Sequence, residues 1–170
     1  AYMKTFMPRA KTRLVRYAER MPLFSRFGLE EQIDRIYQRR VDLPGGGSIV
    51  IDHTEALTAI DVNSGRATRA ASQEEAVTGV NLEAAREVVR QLRLRDIGGL
   101  VVVDFIDMRS RKHQRQLEKT LRDAMKDDKA RFTVGRLSPN GLLEINRQRL
   151  KKALQLRRFR SCPTCSGTGT

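Results

Sequence analysis

Between Ser48 and Asn63 apolar and polar positions alternate in two runs, Ser-Ile-Val-Ile-Asp-His and Leu-Thr-Ala-Ile-Asp-Val-Asn, separated by Thr-Glu-Ala. A period of two predicts a β-hairpin. Ile49 and Ile51 fall on one face, Val50 and Asp52 on the other. On the second strand Leu57, Ala59, Asp61 and Asn63 share a face, opposite Thr58, Ile60 and Val62. Ser64-Gly65 ends it.

The flanking segments change period. Residues 1–44 read as helical and basic, without strands. Leu14, Tyr17 and Ala18 follow helical spacing, as do Leu29, Ile33, Ile36 and Tyr37. Leu43-Pro44-Gly45-Gly46-Gly47 reads as a stop and a linker. Ser72-Gln-Glu-Glu75 has the form of a capping box. Asn81 reads as a second N-cap, with Glu83 in the first turn where a helix dipole favours an acid. Leu82, Ala85, Val89 and Leu92 form the core stripe that follows, and Arg86, Arg90, Arg93 and Arg95 are placed on the outside. Leu100 to Asp104 is a continuous apolar run ending in an acid, the mark of a buried central strand. Ser110 is the expected cap of a further helix, with Leu117, Leu121, Ala124 and Met125 facing inward. Arg131–Gly135 and Leu142–Ile145 read as short strands around an Asn140-Gly141 turn. The succession of hairpin, helix, strand, helix and strands predicts an α/β layer.

Charge narrows the partner. Lys and Arg number 33 against 20 Asp and Glu, a net charge of +13 over 170 residues. Such an excess points to a polyanion, and nucleic acid fits better than an anionic membrane because no basic amphipathic segment stands out. No apolar run approaches the roughly 18 residues of a membrane span. Two cysteines are too few for a disulfide framework, which favours a reducing, cytosolic setting. The start at Ala1 and the stop just beyond the cysteines suggest a piece of a longer protein.

The candidate chemistry is acidic. Asp61 and Asp104 both end apolar strands, where an ionised carboxylate needs a partner or a cation, and sites in α/β sheets gather at such ends. Two carboxylates suit Mg²⁺, which keeps several waters and takes few protein ligands, and which can polarise a phosphodiester. With the basic excess, one reading is a magnesium pair that cuts RNA, with Asn63 either orienting Asp61 or meeting a phosphate oxygen. The plainer alternative is that both aspartates are solvated strand ends. Asp107 competes with Asp104, but on a continuing strand it faces away and reads as structural. Asp52, Glu55 and His53 read as turn residues, and His113 as an ordinary helix residue rather than a general base. Arg109, Arg111, Lys112 and Arg115 read as contacts to an RNA backbone, or as a solvated helix face. Cys162 and Cys165 have zinc spacing, but one pair supplies only two of four ligands. A second copy of the chain can supply the others, and a redox pair or two free thiols are the alternatives.

Several stretches resemble the bacterial ribonuclease E/G family. They are Ile49-Val-Ile-Asp-His-Thr-Glu-Ala-Leu-Thr-Ala-Ile-Asp61-Val-Asn63-Ser, Asn81-Leu-Glu-Ala-Ala, Gln91-Leu-Arg-Leu-Arg-Asp-Ile-Gly-Gly and Val103-Asp104-Phe-Ile-Asp-Met108. Gly141-Leu-Leu-Glu, Arg147-Gln-Arg149 and Cys162-Pro-Thr-Cys165-Ser-Gly-Thr-Gly complete the set, in family order from about residue 20. The last stretch alone also resembles the zinc repeats of J-domain chaperones, which occur in several copies. The resemblance implies an endoribonuclease of A/U-rich single-stranded RNA that leaves a 5′-phosphate, acting in RNA processing and mRNA decay. It matches Asp61 and Asp104 to the family's Mg²⁺ aspartates and Asn63 to the asparagine beside them.

It also implies a deoxyribonuclease-I-like mixed sheet layered with helices over residues 45–160. Residues 1–44 then form the helical tail of a ribonuclease-H-like subdomain, and residues 161–170 a zinc-link knuckle. The cysteine pair would be half of a Zn²⁺ site shared between protomers, building a dimer that pairs into a tetramer. A cytoplasmic setting, at or near the inner membrane surface, and degradosome components as further partners follow from the same resemblance. The expected S1 domain, 5′-phosphate sensor pocket and small dimerisation domain are missing from this stretch, so weak activity is expected of it alone. The competing class is a non-catalytic RNA-binding or assembly module. Acids facing phosphate discriminate against it, because they repel the backbone unless a cation intervenes.

Overall fold

The hairpin forms as the alternation requires, and it sits inside a larger sheet. The structure, a computed structural model, describes residues 15–65 and 73–150. The chain divides into two compact units, Ala1–Arg35 and Ile36–Thr170. In the described part of the first, α1 (Leu23–Arg26) and α2 (Leu29–Arg35) bury no residue of their own, and Phe24 and Phe27 are exposed.

The second unit carries a six-stranded sheet. Its strands are β1 (Arg40–Asp42), β2 (Ser48–His53), β3 (Thr58–Asn63), β4 (Gly99–Asp104), β5 (Phe132–Val134) and β6 (Leu142–Arg147), in spatial order β1-β2-β3-β4-β6-β5. The pairings are antiparallel except β3 with β4, which is parallel. A parallel neighbour demands a long crossover, and α3 (Gln73–Leu94) lies within it. A second long helix, α4 (Arg111–Met125), follows β4.

Alternation along the strands divides the sheet into two faces. Ile49, Ile51, Ile60, Val62, Val101, Val103, Leu143 and Ile145 point inward and form one core with Ala84, Ala85, Val88 and Leu92 of α3. Leu117, Leu121 and Met125 of α4, spaced by four, join the same core. Val50, Ala59, Asp61, Val102, Asp104 and Glu144 point the other way and remain partly or fully exposed. Among the described residues no helix is long and apolar enough to cross a membrane.

Several expectations are corrected. Arg40–Asp42, expected in a helical segment, forms an edge strand whose single inward-facing apolar residue, Val41, leaves little pattern to read. The glycines after Pro44 are a tight turn between β1 and β2, closed by the Gly46 N–H to Leu43 O and the Leu43 N–H to Gly47 O, rather than a linker. Asn81 is no N-cap, because α3 runs through it without interruption. Glu83 lies within the helix and accepts the Gly45 N–H at 2.8 Å. Arg95 is not an outer decoration. It is 1% exposed and donates to Gln91 Oε1 at 2.7 Å and to Gln38 O at 2.8 Å. The proposed Ser72 cap lies outside the described residues. Ser110 occupies the N-cap position of α4 but makes no side-chain capping bond.

An ion pair locks the far end of β6. Arg147, 3% exposed, donates to both carboxylate oxygens of Asp128 at 2.7 and 3.0 Å, and to Ile97 O at 2.8 Å. Burial raises the Asp128 carboxyl. Hydrogen bonds from Arg147 and the Ala130 N–H, with the charges of Arg147 and Arg93, outweigh burial and hold it below the usual carboxylate range. A depressed carboxyl contributes stability above its unfolded pKa of about 3.9, lost as pH falls through the lower folded value. Asp128→Ala leaves the buried Arg147 cation with only the more distant Asp96 carboxylate, 3.8 Å away, and should cost about 3 kcal/mol at pH 7 in urea unfolding. Because the variant lacks this titration, the difference should shrink below about pH 4.

Candidate metal centre

The register of β3 on β4 assembles the site. Asp61 pairs directly with Asp104 across the parallel ladder. Neighbouring strands are about 4.8 Å apart, so the two carboxylates leave the same face side by side. Both residues are exposed, at the carboxyl ends of their strands. Asp61 is followed on its face by Asn63, whose amide donates to Asp61 Oδ2 at 2.6 Å. Of the two readings of Asn63, the structure displays the bond to Asp61. The row through the acids reads Val50, Asp61, Asp104, Leu142, so apolar side chains flank the pair.

These residues open onto a cavity of about 480 Å³, lined by Asp61, Val62, Asn63, Ser64, Asp104, Phe105, Ile106, Asp107 and Asn140. The strand does not continue past Asp104. Asp107 therefore lies on a loop and reaches the same cavity, contrary to the expectation that it faces away. Asn140, read from sequence only as a turn residue, also lines the cavity. Its signal was the Asn-Gly pair, which marks a turn and says nothing about what the turn adjoins. Gly141 adopts φ +78°, and a Cβ there would lie 2.6 Å from Phe105 O. The Phe105 N–H donates to Gly141 O at 3.0 Å, so this turn is pinned to the residue after Asp104.

The other candidates lie elsewhere. Asp52 is within β2 and pairs with Arg39, whose Nη2 donates to its Oδ2 at 2.7 Å. His53 ends β2, with Nδ1 3.0 Å from Thr58 Oγ1. Burial, then the charge of Arg95, pushes its pKa down. Glu55 lies in the turn that Thr54 closes by bonds to Leu57. His113 faces Glu74, with Nδ1 3.3 Å from Oε1, and is not among the residues lining the cavity. Arg109, Arg111, Lys112 and Arg115 are exposed at and before the start of α4. Cys162 and Cys165 lie outside the described residues.

Asp61 and Asp104 suit a hard divalent ion by their chemistry. They are exposed, adjacent and free of ion pairs among the described residues. No group of three or more His, Cys, Asp or Glu side chains able to hold a metal occurs among those residues. A two-carboxylate donor set excludes a closed structural zinc centre and fits an ion that retains most of its waters.

Comparison of the sequence with known proteins places the chain in a family. A profile described as the ribonuclease E/G family matches residues 1–150. The chain belongs to the ribonuclease E/G family. Ribonuclease E of Escherichia coli is 53% identical over 163 residues, covering 96% of this chain and 15% of that protein. Ribonuclease E of Haemophilus influenzae is 52% identical over 168 residues, covering 99% of this chain and 18% of that protein. Ribonuclease G of Escherichia coli is 35% identical over 169 residues, covering 99% of this chain and 35% of that protein. The chain thus spans a minor part of the ribonuclease E/G relatives it matches, and the family profile covers both acidic strand ends.

The Gly141 turn supports the cavity rim in this ribonuclease E/G chain, and its conformation leaves no room for a side chain. Gly141→Ala should lower stability by about 2 kcal/mol in chemical denaturation, through the left-handed backbone and the clash with the Phe105 carbonyl. An unchanged denaturation midpoint would contradict this reading of the turn.

Proposed function

We propose that this chain carries the catalytic centre of a magnesium-dependent endoribonuclease acting on single-stranded RNA. The observation that carries the reading is the parallel register that sets Asp61 beside Asp104 in an open cavity. Family membership supports it, since the matching relatives are named ribonucleases. Asp61 and Asp104 hold the cation, and Asn63 fixes the Asp61 carboxylate through its amide. When bound, Mg²⁺ supplies Lewis-acid chemistry, polarising the phosphodiester and making water a better nucleophile. The excess of basic residues draws in the RNA strand, and the exposed Arg109, Arg111, Lys112 and Arg115, which follow the Asp104–Asp107 loop in the chain, contact its phosphates. Cleavage in A/U-rich segments to leave a 5′-phosphate, roles in RNA processing and mRNA decay, and the deoxyribonuclease-I-like arrangement belong to the same proposal. So do the cytoplasmic setting and the degradosome partners.

A binding module alone would have no use for two acids side by side facing RNA. In the full-length protein, Asp61→Asn or Asp104→Asn should each lower magnesium-dependent cleavage on the order of a hundredfold or more. RNA affinity should be nearly unchanged. Cleavage at the wild-type rate in either variant would overturn the assignment.

Cys162 and Cys165 supply two thiolates of a zinc site completed by a second protomer, which joins two chains into the dimer from which a tetramer is built. Elemental assay of the full-length protein should give roughly half a zinc ion per chain. One ion per chain would exclude sharing.

A further inference from the structure

Asn81 lies in the middle of α3 and is fully buried. Asparagine is a poor helix former, and a buried amide without partners costs about 1–3 kcal/mol. Its partners here come from another segment. Asn81 Nδ2 donates to Ile106 O at 2.8 Å, and Asn81 Oδ1 accepts the Ile106 N–H at 3.1 Å. Both polar groups of one loop residue are therefore held by one side chain. That residue lies between Asp104, the last residue of β4, and Asp107, and all three line the cavity.

The rest of the loop is tied in the same manner. Glu74 of α3 accepts the Ser110 N–H at 2.8 Å, and Gln114 of α4 donates to Met108 O at 2.7 Å. On the sheet side the Phe105 N–H reaches Gly141 O. The loop has no ladder of its own, so its shape is set by these side chains, of which Asn81 is the most deeply buried.

We propose that Asn81 is a positioning residue for the acidic cavity: by clamping both polar groups of Ile106 it fixes where the Asp104 and Asp107 carboxylates are presented. This rests on the reading of Asp61 and Asp104 as a cation-binding pair. The requirement is geometric, because a displacement of about 1 Å at a reacting centre can cost on the order of a hundredfold in rate.

The test uses the full-length protein with Asn81→Ala, Asn81→Leu and Asp61→Asn. Asn81→Ala should lower kcat by roughly ten- to a hundredfold. The KM for RNA should hold, and the Mg²⁺ concentration giving half-maximal rate should rise severalfold. Amide exchange should accelerate across residues 105–110 while the β-strands keep their protection. If Asn81→Ala does not fold, Asn81→Leu carries the test. It keeps nearly the same volume, so no cavity is left, and removes both bonds to Ile106 without burying a charge. A wild-type kcat and Mg²⁺ midpoint in the folded variant would overturn the proposal. So would a loss of kcat that tracks only the unfolded fraction with an unchanged midpoint. Asp61→Asn separates the two levels. If it cleaves normally, the cation-pair reading fails. If it is inactive while the Asn81 variants behave as wild type, only the positioning role fails.

Discussion

The parallel pairing of β3 with β4 is the constraint on which the rest of the molecule depends. It sets Asp61 directly beside Asp104. Like charges held side by side repel, and side-chain pairs of this kind destabilise a sheet. The fold accepts that arrangement at an exposed strand end, where water or a cation can compensate it. Parallel pairing also requires the chain to travel back along the sheet before β4 can form. The long helix α3 makes most of that return and buries Ala84, Ala85, Val88 and Leu92 against the inward face. The element needed to close the topology is thus also the main source of core.

The two sheet faces divide the labour. Inward residues are almost all Ile, Val and Leu, so burial fixes strand register, because a slip by one residue would turn them outward. Register thereby keeps Asp61 and Asp104 on the outward face. Rigidity beyond the strands comes from polar side chains. Asn81, Glu74 and Gln114 hold the loop after Asp104, and Arg147 with Asp128 fixes the opposite end of β6. The loop contacts satisfy backbone groups that have no ladder partner in the sheet.

Much of this was legible in the sequence, for physical reasons that differ between elements. The hairpin and β4 carry clean patterns because one face of the sheet is buried, and the inward stripe of α4 repeats at helical spacing. Asp61, Asn63 and Asp104 stood out because polar groups ending apolar strands need a reason to be there. β1 was missed because an edge strand with one inward apolar residue has no period. Asn81 and Arg95 were misplaced because composition assigns polar residues to caps and surfaces, whereas their partners, Ile106 and Gln38, come from distant parts of the chain. Asp107 was turned away from the cavity by assuming that β4 continued. No local pattern reveals where a strand stops when apolar residues such as Phe105 and Ile106 follow it.

The central claim is that Asp61 and Asp104 share one divalent cation. A crystal structure of the full-length protein with Mn²⁺ in place of Mg²⁺ tests it directly through anomalous scattering. The account predicts a single strong peak between the two strand ends, about 2 Å from one carboxylate oxygen of each aspartate. Carboxylates more than roughly 7 Å apart, with no peak between them, would contradict it, because no single hard ion can span that gap.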